Sequence, residues 1–381
     1  MKSTYFALLF CLLFGLPGMK AQTFSNFLNR INAAGFAERQ AMAGKFLADQ
    51  TNIPIIESDT TAHFLYWGNA ISVSIAGDAT AWKPAMNLKR IEGCDLWYLT
   101  ASYEPDAHLE YKVVVNGNDW KLDSLNKLVV EGGMGKNSEF VMPRYERPQF
   151  IYERDVVPWG FYFDTIVQSE VMKESRKIRI YLPPNYEKST DSYPVAYFHD
   201  GFEFFDRTAA RNIMDNMTFE KRIRPVIAVF VEPVHRDPEY SGMEQSSYTR
   251  FMVEELIPFM DKGYRTQPNP EGRAQFGISN GGNIALWLAA SHPEAVGKAA
   301  AFSSNVESNI LKKFEKSGCK NQKIYLDLGI YDLPMLLPKV QKLKLILDEK
   351  GCDVFYHEYP EGHNWAFWQK HLPDALEYFF H

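Results

Sequence analysis

Cysteine is scarce in this sequence: four in 381 residues, one of them, Cys11, in the apolar start of the chain. A small scaffold stapled by many disulfides is thereby excluded. None of the nine histidines stands in an H-E-x-x-H arrangement and no Cys/His cluster has metal-ligand spacing, so the expectation is no metal and no cofactor. Positive charge is in deficit, with 41 Lys and Arg against 47 Asp and Glu and a formal charge of −6. That balance gives no reason to expect a nucleic-acid partner or an anionic membrane surface. Internal repeats and low-complexity tracts are missing as well. What is abundant is apolar: 46% hydrophobic and 14% aromatic residues, enough for a large core and two domains.

The first residues, MKSTYFALLFCLLFGLPGMKAQ, combine a basic start at Lys2, an apolar run from Tyr5 to Leu16 and a small residue, Ala21, before Gln22. The pattern predicts a signal peptide over residues 1–21, too short to span a membrane, and a secreted or periplasmic product. No small-residue lipoprotein context precedes Cys11. Loss of Lys2 and Lys20 takes the charge from −6 to −8. Cleavage leaves Cys94, Cys319 and Cys352, an odd count. Cys319 and Cys352 each stand just before a strand pattern, so two parallel neighbouring strands would let them pair; two buried free thiols is the alternative.

The most informative stretch is RAQFGISNGGNIALWLAA, residues 273–290. It reads as a buried strand, a glycine-tight turn and a helix, the setting a G-x-S-x-G nucleophile requires. Gly277 and Gly281 remove side chains that would collide in the turn. Ser279 is then the candidate nucleophile, and the Asn280 N–H at the helix start can face a developing oxyanion.

Upstream, residues 22–58 have the three- and four-residue spacing of helices. Residues 59–145 change to short alternating strands, HFLYWG, ISVSIAG, LWYLTASY and LEYKVVVNG, with turn signals between them, which predicts a small antiparallel sandwich. Trp82, Trp97 and Trp120 within it are candidates for stacking on sugar or for its core. Pro143, Pro148 and Pro158 mark a boundary. Residues 146–381 then give two antiparallel-type strands followed by alternating strands and helices, which predicts an open, mostly parallel α/β sheet.

A serine nucleophile needs a histidine base oriented by a carboxylate, in the order Ser, acid, His on such a sheet. His363, in EGHNWAFW after the last strand, is the candidate base. Asp332, just past the strand KIYLDLG, is the candidate acid, with Asp327 inside that strand as competitor. The loop after PVAYFHDG should give the second oxyanion donor, from Gly201 or preferably Phe202, with His199 and Asp200 holding the loop. Phe202, Phe204, Phe205, Tyr331, Trp365 and Trp368 bring aromatic rings to the same edge. Among them Phe202, Tyr331 and Trp365 are read as substrate-binding, with Arg236 as a cation for substrate unless it pairs with Glu239.

FHDGFEFF, the segment from VEPVHRDPEY to KGYRT, FGISNGGNIAL, LDLGIYD and EGHNWAFW together resemble the esterase D and enterochelin-esterase-like branch of α/β-hydrolases. Residues 77–86 with LEYKVVVNG resemble the early-set immunoglobulin-like module found ahead of such enzymes. The resemblance covers most of the chain and implies an α/β-hydrolase fold with Ser279, Asp332 and His363 as nucleophile, acid and base. Phe202 stands where many members carry glutamine. The implied partner is an ester substrate: hydroxycinnamoyl or acetyl esters of polysaccharide first, a siderophore trilactone second. An acyltransferase and a catalytically idle glycan-binding protein are the alternatives.

Overall fold

The computed structural model describes residues 23–381, so the expected leader lies outside the described residues. Two helices come first, Phe24–Ala33 and Phe36–Ala48. Phe24, Phe27 and Ile31 fall on one helical face and are buried, and Thr23 caps the first helix by accepting the Asn26 N–H. The helices cover one side of a four-stranded antiparallel sheet whose order is Ile55–Ile56, Thr61–Trp67, Leu96–Ser102, Lys89–Arg90. Successive strand residues face opposite ways, so Leu65 meets the helices while Phe64 points into a core shared with a second antiparallel sheet. That second sheet is centred on the strand His108–Val115, which pairs with Val73–Gly77, Asp119–Lys121 and Gly135–Val141. Trp97 is buried here as core.

Residues 143–160 contain no helix or strand. Beyond them the strands of the larger sheet, numbered here in chain order, are β1 Phe161–Ser169, β2 Glu174–Leu182, β3 Val195–Phe198, β4 Ile227–Val231, β5 Arg273–Ile278, β6 Lys298–Phe302, β7 Lys323–Tyr331 and β8 Asp353–Gly362. Their order is β1-β2-β4-β3-β5-β6-β7-β8, antiparallel across β1, β2 and β4 and parallel from β4 onward. Helices cover both faces, which is why β3 to β6 are wholly buried and apolar but for Arg273, Gln275 and Lys298. The fold is an α/β-hydrolase sheet with antiparallel sheets at its N-terminal side.

The two parts are not merely linked in series. At its far end β8 pairs with the strand His108–Val115, Glu361 opposite His108, so a single hydrogen-bonded sheet runs through both. At its near end, parallel pairing of Lys323 with Asp353 brings the preceding residues together, and Cys319 and Cys352 form a disulfide with a Cα–Cα distance of 5.6 Å. Cys94 is a buried free thiol. No helix among the described residues is long and apolar enough to cross a membrane.

Candidate active site

Parallel strands deliver their following residues to one edge of the sheet, and Ser279, Asp332 and His363 follow β5, β7 and β8 respectively. Ser279 has φ 54° and ψ −116°, strained for a side-chain-bearing residue, between β5 and the helix Asn280–Ser291. The turn closes only because its flanking residues are glycine. A Cβ on Gly277 would stand 1.9 Å from the Gly281 carbonyl oxygen, and one on Gly281 would stand 2.8 Å from Asp200 Oδ2. The Ser279 N–H donates to the Phe302 carbonyl at 2.8 Å, fixing the turn to β6. Asn280 opens the helix, where backbone N–H groups have no intrahelical acceptor.

Asp332 Oδ1 and His363 Nδ1 are 2.7 Å apart. Asp332 is buried, its Oδ1 also accepting the Leu333 N–H at 2.6 Å, while the His363 side chain remains 20% exposed. Asp327 does not reach the histidine. It lies inside β7, accepts the Tyr325 hydroxyl at 3.0 Å, and has its pKa pushed up to about 8 by burial. Trp368 braces the arrangement: its indole donates to Ser303 Oγ at 3.0 Å, and its ring meets His363 edge-on at 4.9 Å. No hydrogen bond joins Ser279 Oγ to His363 among the described residues; without substrate such contacts are commonly long.

The loop after β3 turns straight into a helix, Gly201–Thr208. The expected second oxyanion donor is engaged elsewhere, because the Phe202 N–H donates to Glu232 Oε2 at 2.9 Å. Gly201 is the first helical residue, has φ +45°, and sits so close to Glu232 that a Cβ would fall 2.6 Å from its Cα. His199 and Asp200 hold the loop through side chains and backbone together: His199 Nδ1 is 3.0 Å from Tyr248 Oη, the Asp200 N–H donates to Tyr240 Oη at 2.9 Å, and the Asp200 carboxylate takes a two-pronged ion pair from Arg236 at 2.6 and 3.0 Å. Arg236 also reaches the Ile278 carbonyl at 3.3 Å, so its cation is committed to the turn below Ser279 and not to a ligand. Glu239 pairs instead with the fully buried Arg176.

The aromatic edge differs from the sequence reading in part. Phe204 and Phe205 are buried in the core, because helical winding begins at Gly201 and turns them inward. The Phe202 ring lies against the Arg179 guanidinium, 4.5 Å from its carbon. Tyr331 joins the core of the antiparallel module and donates its hydroxyl to Glu104. Trp365 does line an open cleft, of ≈ 470 Å³, together with Leu333, His363 and Trp368. The opposite wall comes from the antiparallel module: Trp82, Trp120, Met134, Lys112, Glu110 and Asn137. Trp82 and Trp120 were already candidates for stacking, whereas nothing in the sequence around Lys112 or Met134 signals a wall. A larger hollow of ≈ 610 Å³, beside the disulfide at the amino ends of β7 and β8, is lined by lysines and holds no base or nucleophile pair. His235, Glu239 and Glu244 offer three ligand atoms within 4.8 Å, but Glu239 is already spent on Arg176 and two backbone N–H groups.

The sequence profile of the family described as "Putative esterase" matches residues 169–379, more than half of the chain. The chain belongs to this esterase family. It is a carboxylic ester hydrolase. The chain is 26% identical over 225 residues to the uncharacterized protein YjcH of Bacillus subtilis, covering 55% of this chain and 93% of that one. It is 25% identical over 168 residues to the endo-1,4-beta-xylanase/feruloyl esterase of Xylanibacter ruminicola, covering 41% of this chain and 23% of that one. Among solved structures, the ferric enterobactin esterase of Salmonella typhimurium superimposes with a TM-score of 0.72 at 17% identity, over 88% of this chain and 98% of that one. That likeness is one of fold and extends over the antiparallel sheets as well as the hydrolase.

Proposed function

We propose that this esterase is an exported serine hydrolase that removes hydroxycinnamoyl groups from polysaccharide by way of an acyl-enzyme. Ser279 Oγ attacks the ester carbonyl as His363 Nε2 takes its proton, and Asp332 holds the imidazole with Nδ1–H toward itself. The tetrahedral oxyanion is met by the Asn280 N–H and, in place of Phe202, by the Gly201 N–H. Collapse expels the sugar alcohol with the proton from His363, and water then repeats the sequence in reverse roles to free the acid. Support comes from the 2.7 Å Asp332–His363 contact and the strained Ser279 turn on one sheet edge.

The observation that carries the substrate class is the tryptophan-lined cleft opening on His363. Trp82, Trp120 and Trp365, with the buried Trp368 behind His363, give the cleft an aromatic lining suited to a planar phenolic acyl group or a sugar ring. The single lysine in its wall is matched by Glu110, a charge balance that suits a neutral phenolic ester better than a polyanionic siderophore. The basic, apolar start of the sequence and the Cys319–Cys352 disulfide support export to an oxidising compartment.

A turnover panel of methyl ferulate, acetylated xylan and a catecholate trilactone, with wild type and Ser279→Ala, tests this. The expected result is preference for methyl ferulate and a loss of several orders of magnitude in the variant. Trp365→Ala should raise KM for methyl ferulate and leave p-nitrophenyl acetate nearly unaffected. Preference for the trilactone would transfer the reading to siderophore hydrolysis, and an active Ser279→Ala would remove the serine mechanism.

A further inference from the structure

Asp78 belongs to the antiparallel module and is 286 residues from Asn364, yet its carboxyl group lies against the loop that carries His363. Its side chain is buried, with 3% exposure for the residue. Oδ2 accepts the Asn364 amide at 2.9 Å and the Glu110 N–H at 2.8 Å, and Oδ1 accepts the Trp82 indole N–H at 3.2 Å. On the other side of the histidine, a Cβ on Gly362 would stand 2.1 Å from Asp78 Cγ. The residue before His363 and the residue after it therefore both rest on one carboxyl group. Asn364 also caps the terminal helix, Trp365–Phe380, by accepting the Phe367 N–H at 3.0 Å, so the same grip fixes where that helix begins.

We infer that Asp78 is a positioning residue for His363, acting across the module boundary through Gly362 and Asn364. The inference rests on His363 being the base. It makes the antiparallel module part of the catalytic apparatus through the geometry of the imidazole, separately from any substrate contact at Trp82. All three of its hydrogen-bond partners are donors, so the group serves only as an acceptor. Burial, with Glu110 close by, pushes the Asp78 pKa up to about 8, so the all-acceptor form is the ionised one and is complete above that pH. An asparagine amide cannot replace it, because its NH₂ would face a donor.

The test uses the full chain and p-nitrophenyl acetate, a substrate too small to need the tryptophan cleft. Asp78→Asn should lower kcat at least tenfold with KM unchanged, and should slow fluorophosphonate labelling of Ser279 in proportion. A folded Asp78→Asn protein within twofold of wild-type kcat overturns the inference. If Asp78→Asn does not fold, Asn364→Ser keeps a capping side chain and removes the same bond; a tenfold fall in its kcat supports the inference and an unchanged kcat ends it. His363→Ala is measured alongside. Turnover surviving in that variant sinks the assignment of the base, whereas an inactive His363→Ala beside an unimpaired Asp78→Asn sinks the positioning role alone.

Discussion

Tyr331 donates its hydroxyl to Glu104 at 2.6 Å, which ties the residue next to Asp332 to the antiparallel module. The ring also packs against Tyr103, with centroids 6.1 Å apart. Tyr331→Phe keeps the packing and loses a hydrogen bond to a carboxylate, so the expected result is a Tm lower by a few degrees with KM for methyl ferulate unchanged. A tenfold rise in KM would return Tyr331 to the substrate cleft.

Asp332 and Asp327 lie on the same strand and its exit, but only Asp332 touches His363. Asp332→Asn should cost about ten-thousand-fold in kcat, the scale seen when a triad acid is replaced by its amide. Asp327→Asn should cost less than tenfold. The comparison is read from kcat of both variants after circular dichroism confirms folding, and the reverse order would move the acid to Asp327.

Asp327 also predicts a pH dependence of stability. Burial raises its pKa to about 8 in the folded protein, whereas an aspartate in the unfolded chain ionises near 4. Across that window the folded protein keeps a proton that the unfolded chain has released, so this group's stabilising contribution is complete at low pH and is lost as pH rises through 8. Asp327→Asn removes the slope. Its Tm relative to wild type should therefore climb from pH 5 to pH 8 and level off above. A difference independent of pH would contradict the burial argument.

The Cys319–Cys352 bridge closes a loop with a sequence separation of 33. On the chain-entropy argument this stabilises by about 3–4 kcal/mol. The double variant Cys319→Ser with Cys352→Ser should melt several degrees lower under oxidising conditions while keeping wild-type kcat, since the bridge sits at the sheet edge opposite the site. Equal Tm values would show that the bond does not form in the protein.

Local features were the legible ones. The Ser279 turn is encoded within five residues, because only glycine at 277 and 281 tolerates the close backbone approach. Chain order along a parallel sheet pointed to Asp332 and His363, and parallel neighbours at the strand starts pointed to Cys319 and Cys352. The misreadings come from winding and distance. Phe204 and Phe205 follow β3 closely, but the helical winding that begins at Gly201 turns both rings to the core. Phe202 and Arg236 have the right neighbourhood but prior partners, Glu232 and Asp200, which no spacing in the sequence announces. Nothing in the sequence around Asp78 announces Asn364, since a contact 286 residues away leaves no local trace.

The junction of Glu361 with His108 also governs how the molecule is assembled in time. His108, Glu110 and Asp78 are synthesised early, but the side chains that complete their surroundings, on Glu361, Asn364 and His371, come from the last strand and the terminal helix. Until those residues arrive, His108 has Glu139 and Glu110 has Asn137, but Asp78 lacks its Asn364 partner and His108 its Glu361 neighbour, so the final packing of the first module waits for the C-terminal residues. Unfolding should accordingly be a single transition shared by both parts, and catalytic competence should be the last property the nascent protein gains.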